Sequence, residues 1–212
     1  MSGKGGKKAK ALKKAAHKEH RLLRRVTGLA ETRVVKALSP AAKATDEPPL
    51  LALGLGTLAL GTLLKRPTVI RSGARMVASH LVATGLKTVL KASVDRTRPN
   101  VAGSRPQLKK GSGTEDTDRN AFPSGHTAGA VAVAQAVAHE VPGMAVPARA
   151  VAGAAGALQV PRGAHYLTDV IAGAAVGWLA ERIAGVAMKR VESARTPIIE
   201  NRGEQEAAAH PS

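Results

Sequence analysis

Apolar positions gather into five stretches separated by polar, Pro- and Gly-rich breaks. Leu50 to Leu64 is an uncharged run of 15 residues, closed by Lys65-Arg66-Pro67. Val69 to Leu90 is a second helix candidate, more polar, with Arg71, Arg75, His80 and Lys87 along it. Three stretches rich in Ala, Gly and Val follow, from Ser124 to His139, from Met144 to Val160 and from Thr168 to Met188. None alternates polar and apolar residues for long enough to suggest a strand. The pattern therefore predicts an all-α helical bundle of about five hydrophobic helices, integral to a membrane. The first run falls short of the roughly 20 residues that cross a bilayer comfortably, so it reads as a short crossing or a buried helix. Gly125–Gly129 and Gly173–Gly177 are G-x-x-x-G spacings, which let helix backbones approach closely, although a Gly-rich composition also produces them by chance.

The remaining segments are charged. Residues 1–10 are Gly/Lys-rich and offer nothing to offset the entropy of ordering, so no fixed structure is expected there. Ala11 to Leu38 intersperses Leu and Val with basic residues, the pattern of a surface helix on anionic lipid or another polyanion, or of a solvated tail. Breaks are predicted at Ser39-Pro40 and at Asp46-Glu47-Pro48-Pro49, and residues 99–120 read as a long loop. The chain divides into a basic segment (1–44), a helical domain (45–190) and a flexible C-terminal tail (191–212).

Composition sharpens this picture. The formal charge is +17, and residues 1–44 hold 13 Lys/Arg against 2 acids. Phe122, Tyr166 and Trp178 are the three aromatics against 41 alanines, too few large side chains for a water-soluble core of this size. With no cysteine, a thiolate nucleophile, a disulfide framework and any Cys-ligated metal are excluded.

Three segments put polar residues at the ends of apolar helices, where they are costly unless used. In Lys91-Ala-Ser-Val-Asp-Arg-Thr-Arg98-Pro99, Lys91 and Arg98 would share a helix face if the helix persisted, and two fixed cations suit a phosphate. Pro123-Ser124-Gly125-His126 precedes a helix: Ser124 is a natural N-cap, Gly125 admits close approach, and the terminus is an anion site. His126 would sit in the first turn, placed to protonate a leaving oxygen. In Arg162-Gly-Ala-His165-Tyr-Leu-Thr-Asp169, the carboxylate lies one helical turn from the imidazole and can fix its tautomer. An imidazole so oriented is a competent nucleophile toward phosphorus. Each segment alone also reads as an ordinary cap or surface pair.

Together and in this order, KASVDRTRP, PSGH and RGAHYLTD resemble the three signature blocks of the type 2 phosphatidic-acid phosphatase superfamily, over about residues 50–190. That superfamily contains membrane lipid-phosphate phosphatases, soluble acid phosphatases and vanadium haloperoxidases. The resemblance implies that Lys91, Arg98, Ser124 and Gly125 hold phosphate oxygens and that His126 is the general acid. It further implies that His165 forms a phosphohistidine, that Asp169 orients it, and that no metal or other cofactor takes part. The third block departs from the pattern: the family arginine, six positions before the histidine, is Gln159 here, and Leu158 stands where a serine is usual. Gln159 can still hydrogen-bond a phosphate but adds no charge, and Arg162, three before His165, is expected to bind phosphate as the missing cation.

The leading reading is a phosphatase for a lipid-linked phosphate or diphosphate, of the phosphatidic-acid or polyprenyl-phosphate type, in the cell membrane. Residues 1–44 would add contact with anionic lipid. The alternatives are a polyanion-binding protein acting through that basic segment and a vanadate-dependent haloperoxidase. Nucleic acid is not the expected partner, because no aromatic-interleaved basic patch or reading helix accompanies the charge. If both 50–64 and 69–90 cross, the site lies on the side of the N-terminus. That side would hold 21 Lys/Arg against ten opposite, which puts it in the cytoplasm.

Overall fold

The structure is a computed structural model that describes residues 3–103, 106–113 and 116–209. Five hydrophobic helices form the body: α3 (Glu47–Leu63), α4 (Pro67–Ser93), α5 (Gly125–Glu140), α6 (Ala145–Leu158) and α7 (Leu167–Ala209), preceded by α1 (Gly3–Thr27) and α2 (Arg33–Lys43). Local chemistry starts three of them at the expected place. Asp46 occupies the N-cap of α3 with prolines in its first turn, Pro67 opens α4, and Ser124 caps α5 by accepting from Thr127 N–H.

Small residues replace large ones as the packing currency. A Cβ at Gly173 would meet Ser124 O at 2.5 Å, and one at Gly177 would meet Ala128 O at 2.3 Å. Backbone contact between α7 and α5 therefore requires glycine at both positions. The other spacing faces elsewhere: Gly125 abuts Lys87 of α4, and Gly129 abuts Leu50 and His80. Alanines 83, 132 and 180 pack where α4, α5 and α7 meet, so the shortage of aromatics is met by close approach. Leu53, Leu60, Ile171, Leu179 and Ile183 point outward and are exposed, as a membrane-embedded bundle presents them. Among the described residues, one helix segment, Leu167–Ala194, is long and apolar enough to cross a bilayer, and Glu47–Leu63 is a shorter apolar helix.

Away from the signature blocks, Arg75 is buried between acids of two other helices. Its Nε and Nη2 donate to Glu181 at 2.9 and 2.5 Å, and its Nη1 to Glu140 at 3.3 Å. An unpaired guanidinium there would be strongly unfavourable.

Four expectations need correction. Helix α1 begins at Gly3, where composition predicted no fixed structure; Met1 and Ser2 lie outside the described residues. The reason is tertiary, because Ala16, His20 and Leu23 bury on the bundle and give the helix a partner. Pro40 lies inside α2 and does not end it. Helix α7 runs on to Ala209 through the segment read as a tail, with 210–212 outside the described residues. The loop after α4 also holds a short antiparallel ribbon, β1 (Val94–Arg96) with β2 (Leu108–Lys110), in the register Val94–Lys110, Asp95–Lys109 and Arg96–Leu108. Buried Asp95 ties this ribbon down by accepting from Ser112 N–H and Oγ–H at 3.0 and 2.8 Å.

Candidate active site

The up-and-down course brings the N-termini of α3, α5 and α7 and the C-termini of α4 and α6 to one end of the bundle. All three signature blocks lie there. The helix carrying Lys91 stops at Ser93, so Lys91 and Arg98 do not share a helical face; β1 and the turn after it deliver Arg98 instead. Backbone bonds stitch the blocks together: Arg98 N–H to Asp118 O, Asn100 N–H to Gly163 O and Ser124 N–H to Asp169 O, at 2.9, 3.0 and 3.0 Å. Gly163 (φ +70°) adopts a left-handed conformation and would press a Cβ against Asn100 at 3.2 Å, so glycine suits this junction on both counts.

His165 is 1 % exposed, and its Nδ1 lies 2.8 Å from Ala121 O. A carbonyl only accepts, so Nδ1 carries the hydrogen and Nε2 keeps its lone pair. Burial, reinforced by the positive charge of Arg98, pushes this imidazole down to about 3, so the ring is neutral at physiological pH. The sequence pattern assigned that orienting bond to Asp169. The structure corrects this, since Asp169 Oδ2 is 4.0 Å from Nδ1, beyond hydrogen-bond reach. Both carboxylate oxygens are committed elsewhere, Oδ2 to Tyr166 N–H at 2.8 Å and Oδ1 to Arg96 Nη1 at 2.6 Å. Asp169 thus fixes the backbone beside His165, while the Ala121 carbonyl holds the ring.

The cations converge on the same end. Lys91 Nζ donates to Asn120 O at 2.6 Å. Arg98 Nε is buried without a hydrogen-bond partner, a donor that an anion would satisfy. Ser124 is fully buried and also accepts from Thr127 Oγ1–H at 3.0 Å. The His126 ring lies edge-on to His165 with centroids 6.1 Å apart. Gln159 is fully buried; its Nε2 donates to Ala155 O and its Oε1 accepts from Arg162 Nη1, each at 3.3 Å. The residue standing in for the family arginine therefore holds Arg162 from behind.

Sequence reasoning missed several members. Asp46 spends its side chain not on capping α3 but on His126, with Oδ1 2.6 Å from Nε2. The adjacent Glu47 pairs with Lys87, one turn before Lys91 and against Gly125. The charges of 46, 47 and 87 are plain in the sequence, but their pairing spans up to 80 positions. Arg96, inside the first block, and Ala121, just before the second, were likewise passed over. Burial pushes Tyr166 up to about 12, so it remains a phenol, and the Arg96 guanidinium sits 4.1 Å over its ring. Among the described residues, no group of three or more His, Asp or Glu side chains is placed to hold a metal ion.

A solved structure shares this architecture. Aquifex aeolicus LpxE aligns over 77% of this chain and 92% of its own, with a TM-score of 0.58 and 19% identity. The first transmembrane PAP2-type phosphatidylglycerolphosphate phosphatase from Bacillus subtilis aligns over 82% and 96%, with a TM-score of 0.42 and 21% identity. No curated protein matches the chain by sequence. The PAP2 superfamily model matches residues 72–191, a span that takes in all three blocks, and the chain belongs to the PAP2 superfamily.

Proposed function

We propose that this PAP2-type phosphatase removes the terminal phosphate of a membrane lipid through a phosphohistidine at His165, without a metal. The observation that carries the lipid reading is an apolar groove of about 850 Å³ that begins at the catalytic end. It runs from Thr45 and Pro161, next to Asp46 and Arg162, down to Met144 between α2, α3, α5 and α6, lined by residues such as Leu50, Val133 and Val151. A chain lying there places its phosphate among Lys91, Arg98, Ser124, Gly125 and Arg162.

In the first step the Nε2 lone pair of His165 attacks phosphorus and the bond to the lipid oxygen breaks. That oxygen takes a proton from His126, which Asp46 holds through Nε2. In the second step His126, now neutral, draws a proton from water as the oxygen attacks phosphorus. The P–N bond breaks, inorganic phosphate leaves and His165 returns to its lone-pair form. The cations need not move as charge builds on the phosphoryl oxygens. Phosphate release from a lipid phosphate should therefore persist in EDTA. Activity that vanishes with the chelator and returns with magnesium would refute the metal-free route.

The five helices are assigned as a multi-pass arrangement with the catalytic end in the cytoplasm, supported by the excess of Lys/Arg at that end. The exposed basic face of α1, with Lys13, Lys14, Lys18, Arg21 and Arg24, suits anionic lipid beside it. A cysteine replacing exposed Gln107, in the otherwise cysteine-free chain, should resist an impermeant thiol reagent in intact cells and react once they are opened. Efficient labelling of intact cells would place the site outside.

A further inference from the structure

Helix α1 carries ten basic residues and a single acid, Glu19, and that acid is turned toward the catalytic end. Glu19 Oε1 accepts from Thr168 N–H at 3.0 Å, and Oε2 accepts from Thr168 Oγ1–H at 3.1 Å and from Arg96 Nη2 at 2.5 Å. Thr168 is the second residue of α7, so its N–H is one of the donors a helix start leaves without an intrahelical acceptor. A carboxylate also opposes the positive end of the helix dipole there. Arg96, gripped by Glu19 through Nη2, gives its Nη1 to Asp169 and to Thr168 Oγ1, both at 2.6 Å. The next residue, His20, continues the contact. Its Nε2 donates to Gly103 O at 2.7 Å, which leaves Nδ1 to accept from Tyr166 O–H at 3.1 Å. Leu23, one turn on, packs with Val160, Tyr166 and Val170. Apart from the bond to Gly103 O, these contacts fall on the segment from 160 to 170 or on Arg96, which braces it.

We infer that Glu19 is a positioning residue of the catalytic centre: α1 supplies in trans the N-terminal cap of α7 and, through Arg96, holds Asp169 and the His165 turn in register. The inference rests on the phosphatase reading above. It makes α1 a working part of the site as well as a membrane-facing helix.

The test uses the full chain in detergent with an aryl phosphate, so that lipid contact by α1 plays no part. Glu19→Ala should lower kcat about tenfold or more while KM and inhibition by inorganic phosphate stay within about twofold, because alignment is lost and the cations are not. Glu19→Gln should recover most of that loss, keeping a deficit of about two- to fivefold, because its amide oxygen still accepts from Thr168 N–H. Glu31→Gln, which removes only an exposed pair with Lys36, should match the parent protein. A kcat for Glu19→Ala within about twofold of the parent, per folded molecule, overturns the inference, as does a loss confined to KM. Should Glu19→Ala fail to fold, parental kcat in both Glu19→Gln and Thr168→Ala overturns it equally. A parent protein that releases no phosphate overturns the phosphatase reading along with this inference; parental turnover unaffected by these changes overturns this inference alone.

Discussion

His165→Ala is expected to abolish turnover, by a factor on the order of 10⁴ or more, because it removes the group assigned to attack phosphorus. The expectation stands on the bond from His165 Nδ1 to Ala121 O, which leaves Nε2 with its lone pair, and on a burial that keeps the ring neutral. Phosphate binding should survive, since Lys91, Arg98 and Ser124 are untouched, and inorganic phosphate should still protect the variant against thermal unfolding. The same ring gives a pH signature. An unfolded imidazole takes up a proton below about 6.5, whereas His165 resists protonation until about 3. The folded state therefore binds fewer protons between those values, and stability falls as pH drops through them. His165→Ala should flatten the acid side of the melting-temperature profile in detergent. Retained turnover would remove His165 from its assigned role, and an unchanged acid slope would show that burial does not hold its imidazole neutral.

Arg162→Ala should cost about 10²- to 10³-fold in kcat/KM, the scale of losing a fixed charge-assisted donor at a developing oxyanion. Gln159→Ala should cost far less, although the two side chains are in contact. Gln159 carries no charge, and both ends of its amide are engaged with protein groups, Ala155 O and Arg162 Nη1. Its contribution is to steady the guanidinium. The loss on Gln159→Ala should accordingly be a modest fall in kcat, with the leaving-group dependence unchanged. The opposite ranking would show that Gln159 itself meets the phosphate and that Arg162 has not assumed the cation's place. A faster Gln159→Arg variant would show a site working below its capacity.

What this chain's sequence determined alone was whatever rests on local chemistry or on fixed short spacing. Uncharged apolar runs and their Pro and Lys/Arg stops placed the five hydrophobic helices, because burial and helix termination depend on residues a few positions apart. Ser124 was readable as an N-cap, and the short blocks that hold His126, His165 and Asp169 were readable as residue types that suit phosphate. The tertiary structure decided what those groups are bonded to. The Asp169 carboxylate lies within one turn of His165 in sequence, yet Arg96 and a backbone N–H claim it, so the ring turns to Ala121 O, a carbonyl with no sequence signature. Glu19, 149 positions from Thr168, and Asp46, 80 from His126, lie in segments read as a basic tail and a break. A carboxylate's partner at such separations is set by how the helices pack. Helix α1 made the difference most plainly: residues 11–38 read as a basic surface helix or a solvated tail, and the packing of Ala16, His20 and Leu23 against the catalytic end is what gave that helix a buried partner.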